Sequence, residues 1–373
     1  MSNAIQPDSG MPTLLPQLRA EPLPIVIVGA GGIVRDAHLP AYHKAALPVA
    51  MLIDRDASRA AATAAEFGVP RSFASLAAAG SAIAALDPVV YDVAVPAAHL
   101  LDVLPLLPNG AAVLLQKPMG ETLAEAEAIL ALCREKRLTA AVNFQLRWAP
   151  GAMAARGLYE TGKLGQLHDL TIEVTTHMPW ELWSFLAKAP RLEILYHSIH
   201  YIDLVRAWLG NPLSVYAKTV RNPRTPALSA TKSAIILDYG EWMRATIQTN
   251  HSHDFSPATQ VSMVRWEGTT HALHYRMGVN LNYPEGLPDT LTMLRDGGQS
   301  LPVSGSWFPD AFMGSMLSLQ SFVLGEAAIL PTSVEDAIDT MRVVEAAYLS
   351  SERGGVKTEE VSSLTAAASY RKG

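Results

Sequence analysis

Up to Phe144 the chain alternates short, unbroken apolar runs with longer helical patterns. Ile25-Val26-Ile27-Val28 has the continuous hydrophobicity of a parallel strand covered on both faces, and it ends in Gly29-Ala30-Gly31-Gly32-Ile33. The segments Val49–Ile53, Tyr91–Val95, Ala112–Leu115 and Thr139–Phe144 repeat the pattern. Between them, the alanine-rich stretch Ser58–Phe67 predicts a helix capped by Gly68, and Ala97–Leu107 predicts another with His99 near its start. Thr122 and Glu125 form the capping box of a helix reaching about Arg137. Strands alternating with helices call for a doubly wound parallel sheet whose ligands lie beyond the carboxyl ends of its strands.

From Leu167 the pattern changes to consecutive strands: Leu167–Thr176, Leu213–Val220, Ser233–Leu237, Trp242–Gln248 and Gln260–Trp266, with turns such as Tyr239-Gly240-Glu241 and Glu267-Gly268. These predict a large, open, mainly antiparallel sheet in a second domain of α+β type, so the fold class is α/β: an N-terminal Rossmann domain and a sheet-based partner. Within the second domain, Ile199, Ile202, Val205 and Leu209 recur at helical spacing, and Tyr196, His200 and Asp203 share a neighbouring stripe. Three segments follow: an N-terminal extension (1–22), a dinucleotide-binding domain (23–147) and a substrate-binding and oligomerisation domain (148–373).

Composition narrows the function. The 373 residues, 49% of them apolar, supply material for two domains with their own cores. A net charge of −6 with scattered Lys and Arg gives no footprint for nucleic acid or an anionic membrane. Cys133 stands alone and sits at helical spacing with Leu123, Ala126 and Leu130, as a core thiol does. The proline-rich first 22 residues lack a cationic start, a twin-arginine pair and an apolar run, so they read as a loose extension of a cytoplasmic protein. No stretch reaches the roughly 18 apolar residues of a membrane span.

Candidate chemistry gathers at a few positions. At the first strand's end, Gly29 permits a tight turn, Gly31 lets a phosphate approach the backbone, and the free N–H groups of the next helix attract an anion. Val34 replaces the third glycine of the usual motif, so an ordinary strand-to-helix turn is the plain alternative. Asp54, ending the second strand, is placed to bond the adenine ribose and favour NAD, while Arg55 beside it is suited to a 2′-phosphate and hence NADP. Lys117 is kept extended by Pro118 at a strand's carboxyl end, where a cation can stabilise a developing alkoxide; a solvated loop lysine is the alternative. His200 is suited to be a general base with Asp203 orienting it or binding a substrate hydroxyl, against the plainer reading of a histidine packed at a domain junction. His177, His197, His200, His251 and His253 all fall in the second domain, with His251 and His253 expected on one strand face. Their spacing argues against a metal, and none is expected. Trp180 and Trp183 offer flat apolar surface to a sugar ring or to a core or subunit contact.

The motifs Gly29-Ala30-Gly31-Gly32-Ile33, His38-Leu39-Pro40, Val95-Pro96-Ala97-Ala98-His99, Gln116-Lys117-Pro118 and Asn143-Phe144-Gln145-Leu146-Arg147-Trp148-Ala149-Pro150 resemble the Gfo/Idh/MocA family of oxidoreductases. The resemblance continues to Ser333–Gly355. It implies cofactor contacts from Gly29, Gly31, Gly32, Ile33, Asp54, Arg55, Pro96, His99, Gln116, Lys117 and Asn143, and catalysis by Lys117, His200 and Asp203. It further implies substrate contacts from Lys117, Arg147, His177, Tyr196, His197 and His200, and a homodimer or homotetramer paired through the second sheet. Two departures stand out: Gln116 replaces the glutamate of the family's Glu-Lys-Pro signature, and Tyr196 replaces an aspartate four residues before the histidine. The expected activity is hydride transfer between NAD (or NADP) and a secondary hydroxyl or ketone of a sugar, polyol or sugar acid. The rival is a non-catalytic, dinucleotide- and sugar-binding regulator, favoured by those two departures.

Overall fold

The computed structural model describes residues 15–180, 186–283, 285–295 and 297–356. The first domain is a six-stranded sheet in the order β3-β2-β1-β4-β5-β6: β1 (Ile25–Val28), β2 (Val49–Ile53), β3 (Ser72–Phe73), β4 (Val90–Val93), β5 (Ala112–Leu115) and β6 (Thr139–Val142). All its neighbours run parallel. The order reverses between β1 and β4, the crevice where such sheets bind dinucleotides.

The connecting helices are α1 (Leu39–Lys44), α2 (Ala57–Phe67), α3 (Leu76–Ala84), α4 (Leu100–Val103) and α5 (Leu123–Glu135). Their caps follow the sequence. Thr122 Oγ1 accepts from the N–H of Glu125 at 3.2 Å, and Gly68 closes α2 at φ +68°. The single helix expected over Ala97–Leu107 is instead α4 flanked by 3-10 turns at Ala97–His99 and Leu104–Leu106. The Pro105 ring, which fits only where a backbone N–H is not needed, falls at the second turn.

Helix α6 (Pro150–Glu160) leads into an eight-stranded sheet of order β14-β13-β12-β11-β7-β10-β9-β8. Its strands are β7 (Leu167–Thr175), β8 (Ser214–Val220), β9 (Lys232–Asp238), β10 (Arg244–Asn250), β11 (Val261–Gly268), β12 (Ala272–Arg276), β13 (Thr290–Leu294) and β14 (Gln299–Leu301). Every pair is antiparallel except β7 with β10, which run parallel. Burial alternates along β9, β10 and β11, so one face packs on α6 and α7 (Ile199–Leu209) while the other stays open.

Two long helices close the chain. The first, α8 (Ala311–Val323), is buried from Ala311 to Ser321, apolar on nearly every side, and lies against β5, β6 and α1 of the first domain. The second, α9 (Val334–Arg353), is capped by Ser333 and packs on β8 and α5. The first domain's core is not confined to one side of residue 147, because the C-terminal segment returns to complete it. Nor are residues 15–22 loose: the N–H groups of Arg19 and Ala20 donate to Glu326, and Leu15 and Leu18 pack on the core under α8. Residues 1–14 of the expected extension lie outside the described residues. The other core runs unbroken from Val26 and Val113 to Ile172 and Trp266, so one apolar body supports both sheets.

Candidate active site

Gly29, at φ +109°, is where the chain leaves β1, and a Cβ there would lie 2.5 Å from the Ala94 carbonyl oxygen. Only glycine fits. At Gly31 an added Cβ would meet nothing within 4 Å, which leaves the backbone approachable, and a cavity of about 330 Å³ opens between Gly31, Gly32 and Arg35 on one side and Arg59 and Thr63 on the other. After the turn, Val34–His38 forms a wide π-type turn that carries Val34 and His38 into the core, so the third glycine of the usual motif is not required.

Asp54 ends β2 beside this turn. Its Oδ2 accepts from the N–H of Ala30 at 2.8 Å, and its Oδ1 accepts from the N–H of Asp56 at 2.9 Å and from Arg59 Nη2 at 2.7 Å. Partial burial is the largest influence and pushes its proton affinity up, but Arg59 and the two N–H groups together hold the carboxyl below its usual range. The basic partner is thus Arg59, in the first turn of α2, rather than the exposed Arg55. Pro96 caps the turn Ala97–His99, and His99 faces outward, paired with Asp102 at 3.0 Å.

Gln116 and Lys117 leave the end of β5. Gln116 Oε1 accepts from Asn143 Nδ2 at 3.1 Å, and Asn143 leads back to His38, whose Nδ1 lies 2.6 Å from the buried Asp92. Lys117 Nζ donates to the carbonyl oxygen of Tyr196 at 2.9 Å, across the domain junction. Burial lowers the Lys117 ammonium to about 8.

Tyr196 and His197 lie on a π-type turn, Ile194–Ser198, that runs directly into α7, where His200 is the second residue. Tyr196 donates its hydroxyl to Glu121 at 2.9 Å. His200 is 5% exposed, stands edge-on to Trp307 with ring centroids 5.3 Å apart, and leaves Nδ1 without a partner among the described residues. His197 contacts Trp180 at 4.8 Å and His251 at 4.5 Å between ring centroids. Burial first, then the nearby Lys117 charge, pushes His200 well below the usual imidazole range; burial, His251, Lys117 and His200 do the same to His197. Both rings are therefore neutral bases at neutral pH.

Several expected site residues have other work. Arg147 grips Asp203 with two bonds, Nε to Oδ2 at 2.6 Å and Nη2 to Oδ1 at 2.7 Å, and also binds Asp336 and the Pro331 carbonyl. Asp203 additionally accepts from Thr340, so it does not orient His200, and all three Arg147 nitrogens bond protein atoms. His177 is exposed beside Asp254 rather than in the cleft. His251 and His253 do not share a strand face, because β10 ends at Asn250; His251 turns inward and His253 bonds Thr259. Trp183 lies outside the described residues. No group of three His, Cys, Asp or Glu among the described residues is placed to hold a metal ion, and no described helix is long and apolar enough to cross a membrane.

Residues 23–144 match the family profile described as oxidoreductase family, NAD-binding Rossmann fold, and residues 152–268 match the GFO/IDH/MocA C-terminal domain. The chain belongs to the GFO/IDH/MocA oxidoreductase family. Two D-apiose dehydrogenases are among its relatives. The one from Paraburkholderia graminis is 26% identical over 92% of this chain and 90% of its own, and the one from Rhizobium rhizogenes is 24% identical over 82% and 88%. Among solved structures, the Caulobacter crescentus aldose-aldose oxidoreductase shares the fold at TM-score 0.74 and 17% identity, covering 90% of this chain and all (100%) of that one. An Agrobacterium radiobacter oxidoreductase, in complex with NAD+, L-tartaric acid and magnesium, does so at 0.72 and 19%, covering 90% and 98%.

In this GFO/IDH/MocA protein the glycine turn, the open space at Gly31 and the carboxylate of Asp54 fit a dinucleotide. Three functional candidates escaped the sequence reading. Arg59 had a usable signal, since it stands in the first turn of the helix that follows the strand-ending acid. Glu193, fully buried, and Trp307 had none, because nothing in their local patterns separates them from core or surface.

Proposed function

We propose that the protein is an NAD-dependent dehydrogenase acting on a secondary hydroxyl of a sugar or polyol. The observation that carries this is the Lys117–Tyr196 bond, which sets the β5 lysine beside the helix bearing His200. The bound nicotinamide supplies the hydride acceptor. Lys117 holds the reacting oxygen with a charged hydrogen bond, and His200, neutral and buried, takes the hydroxyl proton. Trp180 packs edge-on against His197 and Trp307 against His200, so aromatic rings flank both histidines, chemistry compatible with a sugar ring beside them. The same residues serve the reverse reduction. NAD is preferred because the Asp54 carboxylate, at the end of β2 beside the glycine turn, would hydrogen-bond ribose hydroxyls and repel a 2′-phosphate.

The open face of the second sheet carries the register pair Tyr216–Ile236, 59% and 45% exposed, and supports pairing of subunits through that face. The relatives point to D-apiose as the first compound to test, followed by other aldoses, polyols and aldonic acids. The test is NADH formation followed at 340 nm across this panel, with Lys117→Ala and His200→Ala as controls. Turnover lost in both variants supports the reading. Cofactor binding with no turnover of any compound would leave the non-catalytic regulator.

A further inference from the structure

Behind His197 lies a buried acid–base pair that the dehydrogenase reading does not use. Glu193 is completely buried, and its Oε1 lies 3.4 Å from His251 Nε2 and accepts from Ser198 Oγ at 2.7 Å. Its Oε2 has no hydrogen-bond partner among the described residues, and neither ring nitrogen of His251, itself 1% exposed, makes a well-formed bond. A buried carboxylate and imidazole left this incomplete are costly unless a proton or a bound group completes them.

The groups facing the pair are few. His251 meets Glu193, His197 and the Trp180 ring. Glu193 meets Ser198, Ser233 and His251 and acts on Tyr201 and Tyr348. His197 feels His251, Lys117 and His200. Among these, only His251 has a carboxylate beside it. An imidazolium at His200 or His197 would stand uncompensated next to Lys117, because Asp203 is already held by Arg147.

We propose that His251, held by Glu193, is where the substrate proton comes to rest. The inference rests on the dehydrogenase reading. In oxidation the substrate O–H bond breaks and an N–H bond forms at His200, while hydride leaves the carbon with its electron pair for the nicotinamide. His200 returns to neutrality by giving a proton to His197, three residues earlier where the π-type turn meets α7 and close enough to feel its charge, and His197 gives one to His251, whose ring centroid is 4.5 Å away. Glu193 stays a carboxylate throughout, so the stored proton makes a neutral ion pair. His197 is only partly covered and is the way back to solvent after product leaves. Glu193 is a positioning residue; His197 and His251 carry the proton.

The test uses the full-length protein with NADH bound and Glu193→Gln, His251→Gln and, as a control, His253→Gln. Ring-carbon NMR of histidine, with His251 assigned by its loss in His251→Gln, should show its titration midpoint falling by at least one pH unit in Glu193→Gln and unchanged in His253→Gln. With a sugar that turns over, Glu193→Gln should lower the kcat plateau about tenfold, move its acid limb downward and raise the solvent isotope effect, with KM and NADH affinity within twofold. An unmoved His251 midpoint overturns the pair, and an unchanged kcat profile in a variant whose midpoint has moved overturns the relay. Failure of the wild type to oxidise any compound would remove the dehydrogenase reading, and with it the relay, while the titration still decides the pair.

Discussion

Lys117 Nζ donates to the main-chain oxygen of Tyr196 at 2.9 Å, so the lysine at the end of β5 is fixed by the turn that launches α7. One bond ties the buried cation to the turn that carries His197 and leads to His200. Because burial lowers Lys117 to about 8, its charge is lost within an accessible pH range. The prediction is a kcat that declines above about pH 8 as the ammonium deprotonates, and a loss of at least a hundredfold in Lys117→Met, measured as NADH formation.

The same group predicts a stability signature. Between about 8 and the lysine's ordinary value near 10.4, the unfolded chain binds more protons than the folded one, so wild-type stability rises with pH across that window. Lys117→Met lacks this titration. Its melting temperature relative to wild type should be highest below pH 8 and fall steadily towards pH 10; a gap independent of pH would contradict the burial of the ammonium.

Gln116, the residue before Lys117, is a neutral amide where a glutamate would carry a charge. Gln116→Glu keeps an oxygen to accept from Asn143 but adds a negative charge next to Lys117. The alkaline limb of the kcat profile should move up by about one pH unit, with the acid limb, set by histidines held well below their usual range, unmoved.

Arg147 and Asp203 are a structural pair. Asp203→Ala leaves a buried guanidinium short of its main partner and should cost about 3–5 kcal/mol by denaturant unfolding, softened where Asp336 still binds it. His200→Gln should do the reverse, with turnover down a hundredfold or more and the unfolding midpoint little changed. Equal losses in both measurements for both variants would refute the division of labour.

The glycine turn separates folding from cofactor binding. Gly31→Ala should fold normally, since its Cβ meets no protein atom, yet weaken NADH about tenfold or more in a fluorescence titration. Gly29→Ala should unfold or fail to express, because its Cβ would strike Ala94. Asp54→Ser should shift preference towards NADPH by freeing Arg59 for the 2′-phosphate.

Much of this site is written in short stretches of chain. The strand into Gly29, the acid at Asp54, the capping pairs at Thr122 and Ser333 and the helix carrying His200 each depend on residues within a few positions of one another, and periodicity and turn chemistry act at that range. Helix α8 escaped because a helix buried on all sides has no polar face to mark its period.

The partners of charged side chains were a different matter. Asp203 shares a helix stripe with His200, but its bonds go to Arg147, 56 residues away, and Thr340, 137 away. Glu193 meets His251 only because β10 ends beside the turn before α7. Sequence by itself determined the two kinds of sheet and the nucleotide cradle, since backbone geometry and the pattern of apolar positions are settled over short stretches of chain. Tertiary structure decided which carboxylate neutralises which cation, because ionic pairing depends on distance and desolvation between elements far apart along the chain.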